Sequence, residues 1–307
     1  MTTPPPSILG VGTVSLDTVE NGAHVARDVL GGSAPYFGAA ARLYGDVTLV
    51  GAVGEDFPQE HLDRLADAGI STRGIARRSG ETFRWHVRYQ RDGSRETLRT
   101  NREVALDARP AVAAELLDTR ALFLGSTHPA LQLEVLYGFG APPHLVVLDT
   151  MTHWIRDERE AYEMLARSAD VVLLNEEEAT LLGNGDQEAG IGPLLDAGTS
   201  WVVVKRGEEG AAAFGHDRAV AVTIARPRAV IDPTGAGDAF AGGLVGALAR
   251  SWPDRLGMEE AMARGAALGS FAVESFSVDR LLEVTEEGVA SRAREIRIRS
   301  RRHRLIS

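Results

Sequence analysis

The chain of 307 residues contains no cysteine, which excludes disulfides, thiolate metal sites and cysteine nucleophiles. Lysine is almost missing too: Lys205 is the only one among 33 Lys and Arg residues. An Ala- and Arg-rich composition accounts for that scarcity without a functional cause. No G-x-x-x-x-G-K-[ST] string occurs, so a P-loop NTPase is not indicated. No apolar run is long enough to span a membrane. Met1-Thr2-Thr3-Pro4-Pro5-Pro6 lacks the positive start and apolar stretch of a secretory signal, so a cytoplasmic location is expected. A basic surplus is also lacking. The net charge of −10 argues against a nucleic-acid partner, though not against a small phosphorylated ligand met by local N–H groups. With 44% hydrophobic and 25% charged residues the composition is that of an ordinary globular protein, long enough for one large α/β domain or two small ones, with no repeat or linker to divide it.

What is present is concentrated in Asp232-Pro233-Thr234-Gly235-Ala236-Gly237-Asp238-Ala239-Phe240-Ala241-Gly242-Gly243. The preceding Ala229-Val230-Ile231 reads as a strand-like approach, and Leu244 to Ala249 as a buried helix. A glycine-rich turn that opens a helix leaves unpartnered N–H groups and a partial positive charge pointing outward, which suits an anion. Asp238 is out of place in a simple anion site, because a carboxylate repels phosphate. It fits if the site also takes a proton from an attacking hydroxyl. The plain alternative is a helix start capped by Thr234 with Asp238 complementing the dipole. That alternative leaves Pro233, the alternating glycines and the small-residue run unexplained.

This block closely resembles the C-terminal signature of the ribokinase, or PfkB-type, family of carbohydrate and nucleoside kinases. The resemblance implies an anion hole from Gly235, Ala236 and Gly237, with Asp238 as catalytic base. It implies a ribokinase-like three-layer α/β/α fold with a mostly parallel sheet and a small β lid, from strands near residues 13–30 and 81–101.

Other stretches follow in the family's order. Ser7 to Gly12 is a short strand, and the family's substrate-gripping carboxylate falls on Asp17. Gly31-Gly32-Ser33 opens a small-residue helix that resembles the Gly-Gly signature lying against substrate; Tyr36 stands where many of the sugar kinases carry Asn. Residues 82–89 alternate, with Phe83, Trp85, Val87 and Tyr89 on one face and Arg84, His86 and Arg88 on the other. Asp92-Gly93 signals a hairpin turn. An inward Arg88 would suit an acidic substrate; an outward one is a solvated edge.

Apolar runs at 121–124, 145–148 and 171–174 indicate a parallel sheet buried on both faces, with Asp149 at one strand end. Asn175 and Glu178 match the family's N-x-x-E motif, which implies nucleotide positioning and Mg2+ held through water. Lys205 and Gly207 match the strand end bordering the nucleotide, with Thr234 and Gly237 completing that side; Lys205 read alone is a surface cation. His128 and His153 read as ordinary loop residues. The helix near Glu259 to Glu274 is rich in small residues, for close packing or an adenine cleft. The Arg-rich tail from Arg292 reads as a solvated helix or disordered end.

The expectation is therefore transfer of the ATP γ-phosphoryl group to a hydroxyl, a primary one, of a sugar or related polyol. A nucleoside or inositol acceptor is one alternative, and a non-catalytic nucleotide- or sugar-binding regulator is another. Mg2+ is implied as cofactor, a monovalent cation such as K+ in some members, and a homodimer through the lid.

Overall fold

The computed structural model describes residues 4–90, 94–101, 112–253 and 257–302. The Asp92-Gly93 turn lies outside these residues. Among them are strands β1 (Ser7–Val11), β2 (Ser15–Asn21), β3 (His24–Gly31), β4 (Asp46–Val53), β5 (Ser71–Arg77), β6 (Arg84–Tyr89), β7 (Arg95–Asn101), β8 (Ala121–Leu124), β9 (Leu145–Leu148), β10 (Val171–Asn175), β11 (Trp201–Lys205), β12 (Ala211–Phe214), β13 (Arg218–Val222) and β14 (Ile298–Arg302). The large sheet runs β14-β13-β12-β11-β10-β9-β8-β1-β4-β5. It is parallel from β11 to β5 and antiparallel from β11 to β14.

The unbroken apolar runs have the cause expected of a two-faced sheet. Val171 and Leu173 point into one core, with the helices at 33–41, 236–251 and 257–272. Val172 and Leu174 point into the other, with the helices at 129–138, 159–167 and 187–196. This is the three-layer α/β/α arrangement. From β1 the chain builds outward through β4 and β5, then returns to the other side of β1 with β8. That reversal opens a crevice at the C-terminal strand ends, where doubly wound sheets bind ligands.

The second sheet has the order β3-β2-β6-β7, with β2 and β6 parallel and the outer pairs antiparallel. Val19, Val87 and Tyr89 give it a small core of its own. Two hydrogen bonds tie it to the glycine-rich block: Asn21 Nδ2 donates to the Ile231 carbonyl at 2.9 Å, and the Tyr89 and Thr234 hydroxyls lie 3.1 Å apart.

Two local expectations need correction. Residues 229–231 form no strand, because the N–H groups of Ile231 and Asp232 both donate to the Val273 carbonyl rather than to a ladder. The tail is neither helical nor disordered at Ile298–Arg302, which pairs with β13 as an exposed edge strand.

Small residues on the helix 236–251 serve close packing. A Cβ on Gly242 would lie 2.4 Å from the Phe37 carbonyl oxygen, and on the other side a Cβ on Gly243 would lie 3.0 Å from the Gly265 Cα, a less severe approach. The small-residue helix at 257–272 therefore packs against its neighbour. Because the Phe37 obstacle is main chain, Gly242→Ala is expected to destabilise the protein by roughly 1–3 kcal/mol in a denaturant titration. An unchanged midpoint would show that this helix contact is not tight.

Candidate active site

The helix 236–251 begins without a side-chain cap. Thr234, the residue that would supply one, turns its hydroxyl to Tyr89 and donates its N–H to Asp232 Oδ1 at 2.8 Å. Gly235 precedes the helix in the left-handed region, with φ of 72°, where a side chain is strained. A Cβ there would also strike the Tyr36 ring at 2.3 Å. The start of the helix thus has no side-chain cap at its positive dipole end, although the Ala236 N–H donates to the Pro233 carbonyl at 3.4 Å, and it is backed by an aromatic ring.

Around this point lies a cavity of about 370 Å³. Side chains beyond the ends of the central parallel strands converge on it: Thr13 after β1, Ser126 and Thr127 after β8, Asp149 after β9, Asn175 and Glu178 at β10, and Lys205 closing β11. The glycine-rich block supplies residues 233–238.

Four carboxylates and one ammonium occupy this space. Burial raises Asp238 to about 7, with Asp149 adding to the rise and Lys205 opposing it. Burial likewise raises Asp17 to about 7; the Ser15 hydroxyl, donating at 2.8 Å, opposes this, while Asp232 and Asp238 add to it. Glu178 is raised to about 7 by burial, against the pull of Lys205. Its Oε2 accepts the Asn175 N–H at 2.8 Å while Asn175 caps the Glu178 N–H, a reciprocal capping box at the helix 176–182. Lys205 Nζ lies 2.6 Å from Asp149 Oδ2. Burial alone would lower the ammonium, but Asp149 and Glu178 outweigh it and hold the Lys205 pKa above its ordinary value.

The outer part of the cavity is aromatic. Phe83, Trp85 and Tyr89 come from the small sheet; His128, His153 and Trp154 face from the main domain. Trp85 is fixed in place: its Nε1 donates to Thr97 Oγ1 at 3.1 Å, and the Arg95 guanidinium lies 5.8 Å from its ring centre. Trp154 lies between His128 and His153, at ring distances of 4.7 and 4.2 Å.

Of the residues singled out in the sequence, Asp17, Gly32, Ser33, Tyr36, Asn175, Glu178, Lys205, Thr234, Gly235, Ala236, Gly237 and Asp238 come together on this cavity. Gly31 lies behind it, leaving room for the Asp17 carboxylate, 2.0 Å from where its Cβ would be. Gly207 turns with φ of 52° and is not on the wall. Arg88 is not there either: its Nε binds Glu20 Oε2 at 2.8 Å on the opposite face of β6. Arg84 pairs with Asp28 and Asp56. The arginine that does reach the cavity is Arg95, on β7. Lys205 is not a surface cation but sits inside. His128 and His153, read as ordinary, line the wall with Trp154; their signal was only their position after strand ends.

A family model for pfkB family carbohydrate kinases matches residues 13–284. The chain belongs to the PfkB family of carbohydrate kinases. This kinase is similar to the cytidine kinase of Thermococcus kodakarensis, 28% identical over 82% of this chain and 93% of that protein. Among solved structures it is similar to the nucleoside kinase of Methanocaldococcus jannaschii, at 20% identity and a TM-score of 0.77, covering 95% of this chain and 100% of that one. A fructokinase with bound ATP from Xylella fastidiosa gives 24% identity and a TM-score of 0.77, covering 94% and 98%. Among the described residues no helix of the kinase is long and apolar enough to cross a membrane.

The three raised carboxyls predict the pH dependence of stability. Each binds a proton more readily folded than unfolded, so its contribution is complete below the unfolded value near ~4 and is lost as pH rises through about 7. Calorimetry of the ligand-free kinase is expected to give a Tm at least about 2 °C higher at pH 6 than at pH 8, with Asp17→Asn flattening the slope. A Tm that falls over that interval would contradict the burial of these charges.

Proposed function

We propose that this kinase, one domain over residues 1–307 with the small sheet as its lid, transfers the ATP γ-phosphoryl group to the primary hydroxyl of a nucleoside. The observation that carries the acceptor class is the aromatic wall. Two tryptophans, Phe83, Tyr89 and two histidines are more flat surface than a bare sugar can use, and a nucleobase stacks on such a surface. The similarity to a cytidine kinase over most of both chains supports the same reading. Asp17, buried and held by Ser15, would grip the ribose hydroxyls. The plain sugar expected from the sequence is the rival reading, and the family description favours it.

Asp238 would accept the acceptor's proton while the N–H groups of Gly235, Ala236 and Gly237 receive the phosphoryl charge. Among the described residues no group of three His, Asp or Glu side chains is close enough to enclose a metal. Mg2+ would come with ATP and be held near Glu178 and Asn175 through water, neutralising phosphate charge. Asp232 fits a monovalent cation: it is fully buried, and its Oδ2 has no hydrogen-bond partner. Pairing of two copies through the exposed edges of β3 and β7 belongs to the same reading.

Asp238→Asn is expected to lower kcat by about 10²–10⁴ while ATP still binds, a range that general base catalysis supplies. Near wild-type turnover in the folded variant would remove Asp238 as base. In a panel of nucleosides, pentoses, hexoses and inositols, the highest kcat/KM should fall on a nucleoside; a free sugar in that place would overturn the acceptor class. Replacing K+ by tetramethylammonium should lower kcat in the wild type and leave Asp232→Asn unaffected. An identical loss in both would remove the cation from Asp232.

A further inference from the structure

Arginine fills nearly every basic position of this chain, and the single lysine is therefore informative. A bias that favours arginine elsewhere has left Lys205 in place, and Lys205 is at the site. Its side chain is only 19% exposed. It projects from the end of β11, past β10, to Asp149 at the end of β9, two strands away. Asp149 is more deeply buried, and its two oxygens have separate tasks: Oδ1 accepts the Thr150 N–H at 2.9 Å and Oδ2 takes the ammonium. The carboxylate is thus oriented by main chain before it meets the lysine.

On its other side the ammonium lies against the glycine-rich turn. Lys205 Nζ is the nearest atom to the space that a Cβ on Gly237 would fill, at 3.4 Å. With 2.6 Å to Asp149 on one side, that leaves room for a compact ammonium. A planar guanidinium is larger and presents its donors in a fixed fork, so arginine is not an equivalent replacement. The ammonium carries three donors, and the Asp149 contact uses one of them.

We propose that Lys205 is the cation that meets the transferring phosphoryl group beside the N–H groups of Gly235, Ala236 and Gly237, and that Asp149 is a positioning residue that holds its ammonium there. This rests on the kinase reading above. In the step, the acceptor oxygen bonds to the γ-phosphorus as the bond to the bridging oxygen breaks. That oxygen leaves on ADP with the electron pair, and the acceptor proton goes to Asp238. Lys205 keeps its proton throughout and contributes a fixed charge at the moving group, which is already oriented before reaction. Its neighbours keep it protonated. Asp149 balances the charge while the site is without phosphate.

The single lysine also provides the test. Protein labelled with 13C at lysine Cε carries one lysine signal. The signal is expected to shift on adding Mg2+ with a non-hydrolysable ATP analogue, and to shift much less with ADP or adenosine. Equal shifts for the three ligands would overturn the contact, whether or not any acceptor is turned over, so this readout stands apart from failure of the kinase reading. In the kinetics, Lys205→Met should lower kcat by about 10²–10³, the range for loss of one charge-stabilising donor, with acceptor KM unchanged. Lys205→Arg should not restore it. Asp149→Asn should lower kcat by roughly tenfold or more alone, yet cost nothing further in Lys205→Met, since it acts through the lysine. The double variant leaves no unpaired charge at position 149, so it tests the inference even if Lys205→Met alone fails to fold. Multiplying effects in the double variant would assign Asp149 a separate role, and kcat within threefold of wild type in folded Lys205→Met would overturn the proposal.

Discussion

The contact between the Tyr36 ring and the α-carbon of Gly235 constrains the rest of the site. The ring is buried at the start of the helix 33–41, and any side chain at residue 235 would run into it. The chain can therefore pass only as glycine in a left-handed turn, and that turn opens the helix 236–251 at the cavity wall. Tyr36 also lies close to Asp17, Asp232 and Asp238, whose charges, after burial, push its hydroxyl pKa well up. One neutral ring thus lies between the Asp17 carboxylate and the glycine-rich turn. The lid reaches the same place, through Tyr89 on Thr234 and Asn21 on the Ile231 carbonyl. Two hydrogen bonds thus join the small sheet to the turn.

The second constraint is charge. Asp17, Asp149, Glu178 and Asp238 share a cavity with the Lys205 ammonium and the Arg95 guanidinium, and burial makes the negative charges of Asp17, Glu178 and Asp238 costly. The site is short of positive charge as it stands. A ligand that brings its own cation, or places phosphoryl charge on N–H groups while a carboxylate takes a proton, fits that imbalance better than a neutral sugar-binding module would. This is the physical reason to connect the fold with phosphoryl transfer rather than with binding alone.

Much of this was legible in the sequence because local chemistry dictated it. The two-faced strands 121–124, 145–148 and 171–174 are apolar without alternation, and the glycine-rich block combines turn, helix start and carboxylate within seven residues. The period of two in β6 put Trp85 and Tyr89 on one face and Arg88 on the other, but which face turns inward was not legible. Other features depend on distant partners. Residues 229–231 look like a strand, but Val273 takes their N–H groups. Arg88 is held outward by Glu20, 68 positions away. Lys205 taken alone reads as a surface cation; only the resemblance put it at the nucleotide, and the Asp149 partner that β9 brings beside it was not legible. His128, His153 and Trp154 form a wall only because β8 and β9 are neighbours.

The central claim is that the turn at Gly235 receives the phosphoryl group in transfer. It is tested most directly by a crystal structure of the kinase with Mg2+, ADP, a nucleoside acceptor and a planar metal-fluoride mimic of the phosphoryl group. The account predicts the mimic within hydrogen-bonding reach of the N–H groups of residues 235–237, with the Asp238 carboxylate on the acceptor oxygen and the base of the nucleoside against Trp85. A mimic bound away from that turn, or an acceptor oxygen out of reach of Asp238, would contradict it.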